Sequence, residues 1–282
     1  MKRRVLTLTI AIAAAAALAV PAAGDGGGPN PGIEIASGGV LSPNGRTRYV
    51  AIPDGSRTVV AQILVRNGFV LRTLTVPGQF GLPFVANDGT VGGLSFDGRV
   101  LVLAGYGSPV QSSRFAVVDI KRWRPGRVVR LRGNFSVDAL SPKGRMLYLI
   151  EHTSLTAVYR YRVRAYDLAY DRLLGRTIVD RRSPTEQMAG TPVTRATSPG
   201  GTWVYTLYVK DSGIGFVHAL DTRRAEAVCI DLPWRDLGAW AYDARLWVGR
   251  DGRQLHLRQR GVNGRWALVD TTGWTLTVSS RL

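Results

Sequence analysis

Beyond residue 24 the apolar residues of this chain fall in short runs, and the three-to-four spacing of a helix face is absent. Five of these runs read as β-strands: Arg48–Ile52, Val100–Leu103, Met146–Ile150, Trp203–Tyr208 and Gln254–Leu257. Several are apolar at successive positions, as expected of strands covered on both faces by neighbouring sheets. A turn precedes each one. The clear copies are Leu41-Ser-Pro-Asn-Gly-Arg46, Leu94-Ser-Phe-Asp-Gly-Arg99 and Leu140-Ser-Pro-Lys-Gly-Arg145. Thr197-Ser-Pro-Gly-Gly-Thr202 and Val248-Gly-Arg-Asp-Gly-Arg253 are weaker copies. Ser or Pro opens such a turn, Asn or Asp tolerates left-handed backbone, and Gly supplies positive φ.

The turn glycines are Gly45, Gly98, Gly144, Gly201 and Gly252, at intervals of 53, 46, 57 and 51 residues. About twenty residues after each comes a second landmark, an apolar pair closed by Asp at Asp119, Asp167, Asp221 and Asp270. In the first repeat its equivalent is Asn67-Gly68, a hairpin signal. A further strand follows each landmark: Val70–Val76, Val128–Leu131, Leu173–Val179, Ala225–Leu232 and Trp274–Val278. Each repeat therefore reads as four antiparallel strands. Repeats of this length and content indicate an all-β chain, a β-propeller of five four-stranded antiparallel blades. A repeat needs neighbours to bury its faces, so the five blades are expected to close into one ring, with the last blade supplying all its own strands.

The Ser-Pro-(Asn/Lys)-Gly-Arg-x-x-Tyr-(Val/Leu) turn and strand, followed by apolar-apolar-Asp, resembles the YVTN-type and TolB-like propeller repeats of bacterial secreted proteins. It is also similar to the wider WD-repeat-like superfamily. The resemblance spans all five repeats and is clearest in the first four. It implies a propeller and marks no catalytic family. Members include lactonase-like enzymes and partner-docking proteins. The lactonase-like ones have seven blades, more than this chain provides.

The beginning of the chain has a different pattern. Lys2, Arg3 and Arg4 precede the uncharged, mostly apolar stretch 5–20, and Pro21-Ala22-Ala23-Gly24 follows. This is the layout of a cleaved signal peptide at 1–24, too short for the roughly 20 apolar residues of a membrane span. A Gly/Pro-rich spacer occupies 25–32 and a single propeller domain 33–282. The expected location is secreted, periplasmic or cell-envelope, with no transmembrane span after cleavage.

Charge alters the functional reading. The 37 Lys+Arg exceed the 20 Asp+Glu by 17. With Lys2, Arg3 and Arg4 removed the exported chain carries +14. All but four of the basic residues are Arg. Arg122, Arg124, Arg127, Arg130 and Arg132 crowd the outer hairpin of the second blade. Arg160, Arg162 and Arg164 alternate, so one strand face carries all three. Together they form a candidate basic patch for a protein or an acidic polymer of the cell envelope. The alternative is an Arg-biased surface whose charges protect blade edges from aggregation. Trp123 and Tyr161 make too small a stacking platform for nucleic acid.

Candidate chemistry is sparse. One cysteine, Cys229, excludes a disulfide framework and a Cys-based zinc site, and no metal or other cofactor is implied. Asp88, Asp138 and Asp243 lie just ahead of the turns, where a propeller places its channel, and His152 closes a strand near one face. Converging carboxylates there would suit a glycan- or lactone-acting enzyme, since glycoside cleavage takes two. The competing reading makes Asp88 and Asp243 turn residues and Asp138 a cap on backbone amides. With no catalytic motif present, the leading expectation is a monomeric, non-enzymatic binding module that presents one face or its channel to a partner.

Overall fold

The computed structural model describes residues 33–34, 38–106, 112–154, 156–157, 159–185, 188–235, 237, 240–259 and 265–279. The leader and the spacer lie outside these. The first strand, β1 (Ile33–Glu34), is followed by blade 1: β2 (Val40–Leu41), β3 (Thr47–Asp54), β4 (Arg57–Leu64) and β5 (Val70–Pro77). Blade 2 is β6 (Phe80–Pro83), β7 (Val100–Gly105), β8 (Ser112–Asp119) and β9 (Arg124–Arg132). Blade 3 is β10 (Asn134–Leu140), β11 (Met146–His152), β12 (Tyr161–Asp167) and β13 (Arg172–Ile178). Blade 4 is β14 (Thr191–Thr197), β15 (Trp203–Val209), β16 (Gly215–Asp221) and β17 (Glu226–Asp231). Blade 5 is β18 (Ala244–Val248), β19 (Gln254–Gln259), β20 (Trp266–Asp270) and β21 (Thr275–Val278). Each blade pairs its strands in chain order, and every pairing between named strands is antiparallel. The protein is an all-β propeller of five blades. A 3-10 turn at Trp240–Asp243 is its only helix among the described residues.

The repeated turn owes its shape to its serine. The hydroxyl oxygens of Ser42, Ser95, Ser141 and Ser198 each accept the backbone N–H five residues on, from Thr47, Val100, Met146 and Trp203. Each serine N–H also donates to that same residue's carbonyl. Asn44, Asp97 and Asp251 accept the N–H two residues later, which locks the reversal. Blade 5 has Gly249 in the serine's place, so it lacks the serine's bonds but keeps the main-chain bonds and the Asp251 bond. The second landmark is also a turn. Asp119, Asp167, Asp221 and Asp270 cap backbone amides two or three residues ahead. Each is followed four residues later by left-handed backbone, at Trp123, Asp171, Ala225 and Trp274.

Four apolar clusters fill the seams between successive blades. Tyr49, Leu101 and Val118 lie in the first, Leu147 and Tyr166 in the second, Tyr148 and Tyr208 in the third, Leu246 and Val193 in the fourth. Hydrogen bonds tie the same seams. Thr58 Oγ1 accepts from Phe80 N, and Ser113 Oγ from Phe135 N. Tyr148 donates to the Thr222 carbonyl at 2.9 Å. Between blade 5 and blade 1 the described residues form no such cluster, and Trp247 and Trp266 remain substantially exposed on blade 5. Ring closure, which the repeats led us to expect, is therefore not carried by an apolar seam there. The flanking blades alternate in burial, one face covered and one open, as in blade 5's β20, where Trp266 is exposed and Ala267 buried.

The channel is partly filled from within. Strand β1 pairs along β6 inside blade 2, making it five-stranded. The segment 84–93 then leaves blade 2 and crosses to blade 4, where Asn87 N and Asp88 N donate to the Pro192 and Val193 carbonyls at 3.0 Å.

Candidate functional site

The Ser-x-x-Gly turns all emerge at one end of the propeller. Pro43 of blade 1 touches the position a side chain at Gly98 would take, and Asp97 N donates to the Pro142 carbonyl. Gly201 of blade 4 sits against Phe96 of blade 2; a methyl group there would lie 2.6 Å from the ring's Cγ, and φ is +72°. Because strands run antiparallel, the hairpins holding Asp119, Asp167, Asp221 and Asp270 open on the same end. We call this the turn face.

A cavity of about 280 Å³ lies at the centre of the turn face. Leu41, Pro43 and Phe96 form its mouth, and Leu41 and Phe96 are 54% and 45% exposed. Its polar floor is Asp138 and Arg195, both buried. Asp138 stands where the register of β10 against β11 shifts between Val137 and Ala139. A bulge of this kind re-aims a side chain out of the regular alternation. The Arg195 guanidinium donates to Asp138 Oδ1 and, at 2.5 Å, to the Asp138 carbonyl, while its Nε donates to Thr206 Oγ1 at 3.0 Å. Asp138 Oδ2 has no hydrogen-bond partner among the described residues.

The turn face is strongly basic. Arg46, Arg66, Lys143, Arg223, Arg224, Arg250 and Arg253 are exposed, and no carboxylate lies within ion-pair distance of them among the described residues. Arg99, Arg122 and Arg145 are paired, to Asp97, Asp119 and Asp167. The Asp119 carboxyl is held below the usual range, first by the Arg122 N–H and then by its guanidinium. Asp167 is lowered as well: burial pushes it up, but the amides of Ala169 and Tyr170 and the Arg145 side chain outweigh that.

The three channel carboxylates singled out in the sequence have different surroundings. Asp88 accepts from Thr90 N and Thr90 Oγ1 within its own loop. Asp243 is exposed at the end of the 3-10 turn. Asp138 alone lines the cavity. His152 is buried, with Nε2 3.2 Å from Ser136 Oγ. Of the eight patch arginines, Arg122 pairs with Asp119, Arg127 with Asp171 of blade 3, and Arg164 with Glu151 at 2.6 Å. Arg164 is largely covered and also donates to the Leu174 carbonyl. Arg124, Arg130, Arg132, Arg160 and Arg162 are exposed.

Sequence reasoning missed Arg195, Leu41 and Phe96. Phe96 had a signal: it replaces the Pro found in three other copies of the turn. The arginine after the turn glycine recurs in four copies, yet it carried no role until the turns proved to share one face.

A second buried cluster lies in the seam of blades 3 and 4. His218 Nδ1 is 3.5 Å from Cys229 Sγ, and His218 Nε2 has no hydrogen-bond partner among the described residues. Burial lowers the His218 pKa to about 4, against the opposing pull of Asp138. Asp180 accepts from Cys229 N at 2.9 Å and from Arg182. Burial raises its pKa, but Arg182 and the two amides more than offset this and hold it low. The pair reads as a seam tie.

No family model matches the chain, and no curated protein matches it. Among solved structures it is similar to an oligogalacturonate lyase in complex with manganese, at TM-score 0.52 and 13% identity, covering 85% of this chain and 63% of that one. It is similar to the Swd1 β-propeller domain of Myceliophteria thermophila, at TM-score 0.50 and 13% identity, covering 85% and 69%. Kuenenia stuttgartiensis hydrazine synthase matches at TM-score 0.50 and 15% identity, covering 84% and 64%. The chain spans less than two thirds of the length of two of these three. At such identities the likeness shows the propeller fold and no activity. Among the described residues no helix is long and apolar enough to cross a membrane, and no group of metal-ligating side chains is found.

Proposed function

We propose that this protein is an exported, non-enzymatic β-propeller binding module of the YVTN/TolB-like type that receives an anionic partner on its turn face. The observation that carries the reading is the cavity mouth, where exposed Leu41 and Phe96 are surrounded by turn-face cations contributed by all five blades. Apolar anchors inside a polar, charged surround are how binding surfaces are built. Cations that lack a partner in the free protein steer an anion and are screened by salt. A carboxylate pair for hydrolysis is supported less, because Asp138 is the one of the three carboxylates among the residues lining the cavity. The former patch on blades 2 and 3 is supported less, because three of its arginines already hold carboxylates.

The test is retention of the 33–282 chain on a polyanionic resin. Charge reversal of Arg46, Arg223 and Arg253 should lower the eluting salt sharply, while reversal of Arg130, Arg132 and Arg162 should lower it little. The opposite ranking would return the site to blades 2 and 3.

A further inference from the structure

We propose that the channel-mouth cavity is a saccharide site, seating one sugar ring at the end of an acidic polysaccharide, with vicinal hydroxyls on Asp138 and Arg195 and a ring face on Phe96. The inference rests on the turn-face reading and names its partner class.

The floor sets the chemistry. Asp138 is 5% exposed, yet its Oδ2 has no donor among the described residues. A buried carboxylate oxygen left so is costly, and a ligand that supplies a donor recovers that cost. Beside it, Arg195 spends three of its five N–H groups on Asp138 and Thr206. The floor therefore offers an acceptor and donors side by side. Its two charges already neutralise each other, so it favours a neutral group. A vicinal diol meets all three conditions, because each hydroxyl both donates and accepts.

The walls and mouth narrow the choice. A volume of about 280 Å³ falls at the lower edge of small-ligand pockets, room for one ring. Phe96 stands at the entrance with an exposed ring, which can stack on the C–H face of a sugar as it does on other flat apolar surfaces. A polypeptide carboxamide would match the floor's donor and acceptor but leave Phe96 without a flat partner. Following units would run outward over the turn-face cations, where carboxylates are favoured. An uncharged floor inside a cationic annulus thus fits a polymer whose terminal ring is read by shape and whose remaining units are read by charge.

The test is calorimetric titration of the 33–282 chain with tetramannuronate, and with a glutamate oligomer of equal charge. Tetramannuronate should bind, and Phe96→Ala and Asp138→Asn should each weaken it at least tenfold while the glutamate oligomer is unaffected by Phe96→Ala. Phe96 is exposed, so that variant keeps the test alive should Asp138→Asn fail to fold. No binding of tetramannuronate, or unchanged affinity in Phe96→Ala, overturns the saccharide site. Equal losses for both ligands would make the seat one for acidic polypeptide instead. If charge reversal at Arg46 and Arg253 leaves both ligands unaffected, the turn-face reading falls as well.

Discussion

His218 makes the stability of this propeller fall in mild acid. Its ring is buried in the seam between blades 3 and 4, beside Cys229 and edge-on to Tyr208, with Asp138, Arg195 and Asp180 as the charged groups that influence it. Burial is the largest influence and lowers the pKa from 6.5 to about 4, so the fold accepts the neutral ring. Above pH 6.5 both folded and unfolded chains hold it neutral. As pH falls below 6.5 the unfolded chain takes up a proton that the folded chain refuses until about pH 4. The stability present above 6.5 is therefore lost across that window. The loss amounts to about 3 kcal/mol by pH 4, a large share of a typical domain's margin. Carboxylates held low, such as Asp167 and Asp180, titrate with the same sign, so a variant must isolate the histidine. Urea unfolding followed by tryptophan fluorescence at pH 7.5 and pH 4 would compare the native chain with His218→Gln. Acidification should shift the difference between them by about 3 kcal/mol in favour of the variant. A difference that stays the same at both pH values would refute the burial argument.

Two further outcomes follow from the repeat. Ser141→Ala removes the hydroxyl that accepts Met146 N at 2.9 Å, and thermal melts should show a loss of about 1 kcal/mol. Ala225→Gly relieves left-handed backbone at φ 56° and should raise stability by about 0.5–1 kcal/mol in the same assay.

Much of the fold was legible because its determinants are local. The serines of four turns and the Asn or Asp of three bond within five residues of themselves, so their pattern shows directly in the sequence. The runs Met146–Ile150 and Trp203–Tyr208 lie within β11 and β15, since strands covered on both faces carry a continuous apolar signal. The site was less legible because it is assembled over distance. Arg195 lies 57 residues from Asp138, and only a bulge in β10 turns Asp138 toward it. Asp88, by contrast, spends its carboxylate two residues away on Thr90, as a local turn residue does. Arg164 looked like surface charge by alternation, but Glu151 on the neighbouring strand covers and pairs it.

The crossing of segment 84–93 from blade 2 to blade 4 has a kinetic consequence. Modules that touch only their neighbours can fold one at a time and fray from either end. Asn87 and Asp88 bond to residues roughly a hundred positions later, and Pro192 cannot be in place until blade 4 exists. The centre of the molecule is therefore left unfinished until four of the five blades have been made. As it folds, such a chain would pass through a stage with the strands of its first three blades formed, its channel still open and the loop waiting for blade 4. Hydrogen exchange should then find the amides of Asn87 and Asp88 protected only in chains that include blade 4, marking the moment when a row of blades becomes a single object.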